Sequence, residues 1–255
     1  KLLLATGANV RRLRVDGCDL DGIHYLRALG NADHIREDAT GDVVLIGGSY
    51  IATEVAATLT SMGRKCSLVM LEDMPLERTF GKTAGEYFQK VLTDHGVEIH
   101  AGEEVDHFEG EGRVAAVVTK SGKRIPCHSV VVGVGVTPDV SLAKKAGLEI
   151  GEAGGVVTDA QLATSAPDVF AAGDIAEYDS VIHGRRVRIE HWDVAENQGK
   201  AAARAMLGAG RPYDVVPYFF SDLADWGWME YVGPAYQWTE EIVRGSLDED
   251  QFTIW

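Results

Sequence analysis

The sequence predicts an α/β fold, and three observations carry that reading. Val43-Val44-Leu45-Ile46 is an apolar run that stops at Gly47-Gly48 and opens at once into a helical pattern. Lys1 to Gly7 and Ser129 to Pro138 are apolar strands ending in small-residue turns, and Val169 to Asp174 is another, closed by an acid. Glu103 to Cys127 alternates in polarity between glycine turns, as a three-stranded antiparallel meander does.

The turn after Ile46 carries the first chemistry. Closely spaced glycines let backbone N–H groups approach a pyrophosphate at a helix N-terminus, where the helix dipole favours negative charge. Gly47, Gly48, Ser49, Tyr50 and Ile51 are therefore candidate dinucleotide contacts, although such turns also serve strand–helix packing. Ser49 stands at the middle glycine position of G-x-G-x-x-G; its N–H and hydroxyl still suit phosphate, and Ala52 is an accepted last residue. About two dozen residues on, the apolar run Cys66 to Leu71 ends in Glu72, placed to hold a ribose 2′-hydroxyl and repel a 2′-phosphate. That combination predicts NAD(H) rather than NADP(H).

Asp19 to Glu37 reads as a turn and a short amphipathic helix. Gly41 to Met62 gives strand and helix, Lys65 to Leu71 the next strand, and Lys82 to His95 a helix with Tyr87, Phe88, Val91 and Leu92 on its apolar face. Gly96 closes that helix, and Val97 to His100 forms a short strand. Gly110-Glu111-Gly112 and Ser121-Gly122 supply the meander's turns. Asp193 to Leu207 reads as a long helix, and the chain turns aromatic and strand-like from Pro217. Glu54 lies one helical turn after Tyr50 and shares its face. An acid there either finds a partner or complements the helix dipole.

Taken in order, these motifs resemble the pyridine nucleotide-disulfide oxidoreductases, flavoproteins with two dinucleotide-binding domains. Ile189 to Gly199, with Glu190-His191-Trp192-Asp193 at its start, is similar to the ferredoxin/rubredoxin reductase and apoptosis-inducing-factor branch. The resemblance implies two Rossmann-like three-layer domains, with residues 1–38 part of an incomplete FAD-binding domain and its connection. Residues 39–155 would then be the NAD-binding domain with the meander inserted, 156–213 a second FAD-binding segment, and 214–255 the truncated start of a C-terminal α+β domain. Family members open on an FAD-binding strand-turn-helix with its own glycine fingerprint. None precedes Lys1, so the chain is expected to be the middle and later part of a longer protein.

The same resemblance assigns roles. Thr6, Gly7, Arg11 and Asp174 would sit at FAD, Asp174 by accepting from the ribityl chain or, on residue type alone, as a helix N-cap. Asn9 and Val10 depart from the family's usual arginine and proline. Glu190, His191 and Trp192 would lie at the flavin, ahead of a helix N-terminus facing the C2 carbonyl. Trp192 would wall the ring or meet an electron acceptor, with a core tryptophan as the plainer alternative, and His191 reads more as a packing residue than as a base. Glu54 would grip the nicotinamide carboxamide, Tyr50 would cover the flavin or pack as a core aromatic, and Gly135 would join the NAD site. Glu54 and Trp192 are the residues placed at the reacting centre. The implied activity is hydride transfer from NADH to FAD, with electrons passed to a ferredoxin or rubredoxin. The alternatives are an apoptosis-inducing-factor-like redox-sensing protein and an NAD(H)-binding chain without turnover.

Composition bounds the rest. Hydrophobic residues at 45% and charged residues at 25% over 255 positions describe one large or two modest globular domains. No apolar run approaches the roughly 20 residues that span a bilayer, and no signal peptide is visible. A net charge of -15 argues against nucleic acid, which needs a basic face. Arg11-Arg12-Leu13-Arg14 and Arg185-Arg186-Val187-Arg188 read as local phosphate contacts, solvated edges, or a docking patch for an acidic electron carrier. Cys18, Cys66 and Cys127 lie far apart without C-x-x-C spacing, which predicts structural thiols in a reducing, cytoplasmic compartment and no metal site.

Overall fold

A computed structural model describes residues 1–233 and 237–255. The chain forms two compact units, one containing 1–9 and 136–220, the other 10–135, with the C-terminal segments divided between them. It opens with β1 (Leu2–Leu4) and β2 (Ala8–Val10).

The second of these units is built on a parallel sheet. β3 (Ile23–Tyr25), α1 (Leu29–Asp38), β4 (Val43–Ile46), α2 (Tyr50–Ser61), β5 (Cys66–Val69), α3 (Glu77–Asp94) and β6 (Glu98–His100) follow in turn. A meander of β7 (Val105–Glu111), β8 (Arg113–Thr119) and β9 (Arg124–Pro126) intervenes before β10 (Ser129–Val132) returns to the sheet. The strand order is β3-β10-β4-β5-β6, every pair parallel.

Successive side chains on a strand face opposite ways, so a strand covered on both sides needs an unbroken apolar run. Val43, Leu45, Leu68 and Val131 accordingly enter one core with Ala52, Ala56 and Leu59 of α2 and Phe88, Val91 and Leu92 of α3. Val44, Ile46, Val69, Val130 and Val132 enter another with Phe108, Val114, Val117 and Ile125 of the meander. Helices, sheet and meander thus make three layers. Leu45 and Leu68 are fully buried, and truncating such a side chain costs about 2–5 kcal/mol.

Several elements differ from the sequence reading. β3 falls where a turn and helix are read; it is a three-residue edge strand after Gly22, too short for a pattern to register, and it pairs in parallel with β10. β3 belongs to this sheet, and the compact units change at Asn9/Val10 and Gly135/Val136. In α3 a short helical turn from Glu77 precedes a break at Gly81 (φ 81°), and the helix read from Lys82 follows that break. Its early first turn is anchored by buried Leu76, a left-handed residue (φ 61°) whose N–H donates to the Gly48 carbonyl at 2.7 Å. β7 runs through Glu111, so the first meander turn tightens on Gly112 alone (φ 72°).

The other unit continues from β11 (Val136–Pro138), which pairs with β2, through α4 (Ser141–Lys145) and β12 (Val156–Thr158). β13 (Val169–Ala171), a 3₁₀ turn at Gly173–Ile175, β14 (Ala176–Ser180), β15 (Arg185–Val187) and α5 (Trp192–Met206) complete it. β1 lies parallel to β13, with Leu2 opposite Val169 and Leu4 opposite Ala171. β12, β14 and β15 form a three-stranded sheet. α5 starts one residue before Asp193 and buries Val194 and Ala202 against Tyr178, Val187 and Ile189.

Beyond it, β16 (Tyr218–Leu223) pairs with β17 (Gly227–Val232) and β18 (Val243–Ser246) with β19 (Gln251–Ile254). No helix among the described residues is long and apolar enough to cross a membrane.

Candidate functional site

The glycine turn between β4 and α2 is shaped by close contacts. Gly47 has φ 117°, and a β-carbon on it would lie 2.3 Å from the Gly133 carbonyl oxygen. A β-carbon on Gly48 would lie 2.9 Å from Oε2 of Glu72 and 3.0 Å from the Met70 sulfur. Only glycine fits either position without displacing a neighbour. Ile51 packs against Gly133, where an added β-carbon would meet it at 3.3 Å. Ser49 caps α2 in extended conformation without a side-chain hydrogen bond to the helix, so the first-turn N–H groups remain available to a pyrophosphate.

Glu72 leaves the end of β5 beside this turn, and its Oε1 is 3.1 Å from Nε of Arg78 on α3. Its carboxylate is mostly covered, whereas the arginine is mostly exposed. Gly135 (φ 92°) ends the strand region after β10, and its carbonyl accepts the Arg11 N–H at 3.0 Å. Arg11 therefore lies in the unit that holds the glycine turn, while Thr6, Gly7 and Asp174 lie in the other.

Glu54 has the partner its position demands. The Ser221 hydroxyl on β16 donates to Oε1 at 2.5 Å. Burial pushes the Glu54 carboxyl above its usual range, the Ser221 hydrogen bond opposes this, and the Asp222 charge adds to the rise. Tyr50 is half-buried and meets Phe80 edge to face at 5.9 Å. Both residues sit on one face of α2, as their spacing requires.

In the other unit, β1 and β13 run side by side, so their carboxyl ends deliver Ala5-Thr6-Gly7 and Gly173-Asp174 next to one another. Ligands bind at such strand ends in open α/β sheets. Both turns rest on left-handed glycines, Gly7 (φ 66°) and Gly173 (φ 77°). Buried Gln198 on α5 accepts the Gly173 N–H at 2.8 Å, and its Nε2 has no partner among the described residues. A buried donor beside the Asp174 turn is what a bound group rich in acceptor oxygens satisfies, and these features fit FAD. The Thr6 hydroxyl, by contrast, donates to the Asp139 carbonyl at 2.5 Å, so Thr6 offers a ligand its backbone rather than its side chain.

His191 caps α5, and Trp192 is its first residue, 73% exposed. Among the described residues, Trp192 is thus not part of a core. The His191 ring lies 4.7 Å from Phe219, its Nδ1 is buried without a partner among the described residues, and burial lowers its pKa, which favours the neutral ring. Glu190 pairs with Arg188. Arg188 also donates to the Ala153 and Asp174 carbonyls, at 2.9 and 3.1 Å, and Arg186 pairs with Asp179 at 3.0 Å. Two arginines of that basic cluster are thus bound locally. In the N-terminal cluster, Arg12 lies over the Tyr25 ring at 4.8 Å.

Three contributors escape the sequence reading. Gln198 is a polar residue in the i, i+4, i+8 stripe Val194-Gln198-Ala202, which is a signal once the helix is known. Ser221 is 167 residues from Glu54, and no local pattern joins them. Arg78 falls in a helical turn that starts earlier than the pattern shows. The described residues contain no group of His, Cys, Asp or Glu able to hold a metal ion.

Comparison with known proteins agrees with this architecture. A model of the pyridine nucleotide-disulphide oxidoreductase family matches residues 1–199. The ferredoxin–NAD(+) reductase component of the biphenyl dioxygenase system of Paraburkholderia xenovorans is 35% identical, the match covering 98% of this chain and 61% of that protein. Human apoptosis-inducing factor 3 is 31% identical over 99% of this chain and 42% of its own length. Among solved structures, the ferredoxin reductase for the CYP199A2 system from Rhodopseudomonas palustris superposes with a TM-score of 0.95 at 35% identity, covering 99% of this chain and 63% of that one. The chain spans about three fifths of these ferredoxin reductases. With the family model covering most of its length, the chain belongs to the pyridine nucleotide-disulphide oxidoreductase family.

Proposed function

We propose that the protein is an NADH-dependent flavoprotein oxidoreductase that passes electrons from FAD to a small iron–sulfur carrier such as a ferredoxin or rubredoxin. The observation that carries this is the Glu72 carboxylate set against Gly48, an acid at the ribose end of a glycine turn. Gly47, Gly48, Ser49, Ile51 and Gly135 hold NAD(H), Glu72 takes the ribose hydroxyls, and Glu54 receives the nicotinamide carboxamide beside Tyr50. Gly7, the Thr6 backbone, Asp174, Glu190, His191 and Trp192 hold FAD, with Arg11 at its edge. FAD, when bound, accepts a hydride and releases electrons to the acceptor, so no nucleophile or acid–base pair is required of the protein. The similarity to a ferredoxin–NAD(+) reductase supports the same assignment. The three free cysteines support a reducing, cytoplasmic setting.

A second reading, redox sensing by a slowly reduced flavoprotein, is favoured by the similarity to apoptosis-inducing factor 3. NADH oxidation by the FAD-loaded full-length protein, measured with and without a ferredoxin or rubredoxin, separates the two. Carrier-dependent turnover supports the reductase; flavin reduction that no iron–sulfur carrier accelerates supports the sensor.

A further inference from the structure

Glu54 is half-buried on a helix that contains no other charged residue. It is held by one hydrogen bond among the described residues, from the Ser221 hydroxyl to Oε1 at 2.5 Å. Among the described residues, the groups that act on it are Ser221 and Asp222 from β16, with no cation. A carboxylate has two oxygens and about four acceptor sites, so a donor on Oε1 leaves Oε2 to accept from a ligand N–H. A side chain locked in one orientation before its ligand arrives also loses less freedom on binding.

We infer that Ser221 is a positioning residue for the nicotinamide end of NAD(H): its hydroxyl fixes Glu54 through Oε1 so that Oε2 accepts the carboxamide N–H. This rests on the proposed role of Glu54 as the carboxamide acceptor. A second consequence follows from the same contact. Ser221 favours the ionised acid, while burial and Asp222 favour the neutral one, and only the ionised form is a pure acceptor. NAD(H) affinity therefore falls as pH drops through the Glu54 pKa, and removing the hydroxyl moves that fall to higher pH.

The test uses this chain and two ligands, NADH and ADP-ribose, which share everything except the nicotinamide end. Ser221→Ala weakens NADH binding about three- to tenfold and leaves ADP-ribose unchanged. The NADH loss appears at higher pH than in the parent, and Ser221→Thr restores affinity. With Glu54→Gln in place, Ser221→Ala adds no further loss and the pH dependence disappears. Equal NADH affinity for Ser221→Ala and the parent at every pH, with Glu54→Ala still weakened, overturns the role of Ser221 and leaves that of Glu54 standing. Intact NADH affinity in Glu54→Ala overturns the reading of Glu54, and the inference with it. A parallel loss for ADP-ribose makes Ser221 merely structural and likewise overturns it. Ser221→Cys, a weaker donor of similar size, carries the same comparison should Ser221→Ala fail to fold.

Discussion

Arg78 and Glu72 meet at 3.1 Å beside the glycine turn, with the arginine on the solvent side of the carboxylate. An arginine this exposed adds little stability through an ion pair. What it does is occupy Oε1, while Oε2 stands against Gly48.

Coenzyme choice follows from that acid. NADH is expected to bind this chain far more tightly than NADPH if, as proposed, Glu72 repels a 2′-phosphate. Glu72→Ala weakens NADH about tenfold, the value of hydrogen bonds to a charged acceptor, and Glu72→Arg narrows or reverses the preference. Binding isotherms with both nucleotides measure this. Equal affinity of the parent chain for the two would refute it.

Gly47→Ala tests the turn. The new methyl would meet the Gly133 carbonyl at 2.3 Å, in a backbone conformation that alanine rarely adopts. A cost of at least about 1–3 kcal/mol is expected, which for a chain of this size lowers Tm by several degrees, with NADH binding lost as well. Thermal unfolding and an isotherm on the same preparation decide it; an unchanged Tm contradicts the geometry.

Gln198→Leu leaves the buried Gly173 N–H without an acceptor. An orphaned buried donor costs about 1–3 kcal/mol, and the left-handed turn carrying Asp174 is loosened with it. FAD affinity of the full-length protein should fall more in Gln198→Leu than in Gln198→Glu, which keeps an acceptor oxygen. Equal FAD dissociation constants for parent and Gln198→Leu would count against any role of this turn in holding the cofactor.

Acid stability reports on Asp38. Burial alone would raise its carboxyl, but hydrogen bonds from His24 at 2.6 Å and from Arg113 outweigh this and hold it below the usual carboxylate range. A carboxyl with a depressed folded pKa contributes stability that is present above its unfolded value and is lost as pH falls through the folded one. Asp38→Asn should therefore be less stable than the parent at neutral pH, by about 1 kcal/mol after allowing for partial exposure, with the gap closing below about pH 4. Urea titrations across that range test it. A gap that stays constant to pH 2 would show that the effect is packing.

The central strands are legible because burial on both faces demands apolar runs such as Val43 to Ile46 and Ser129 to Val132. Edge strand β3 has three residues and one neighbour, too little for a pattern. The glycine turn is legible for a related reason: Gly47 and Gly48 mark it in the sequence, and Glu72 lies shortly past the end of the adjacent strand. Side-chain partners are not local. Ser221 reaches Glu54 only through folding, and the Thr6 hydroxyl is taken by the Asp139 carbonyl, distant in sequence.

Gly47, Gly48 and Glu72 are proposed to bind NADH so that its hydride is delivered to FAD. Anaerobic mixing of the FAD-loaded full-length protein with NADH or NADPH, followed by flavin absorbance, tests it most directly. Rapid bleaching by NADH is expected, with far slower bleaching by NADPH and a slowed NADH reaction in Glu72→Ala. Flavin that stays oxidised under saturating NADH would contradict it.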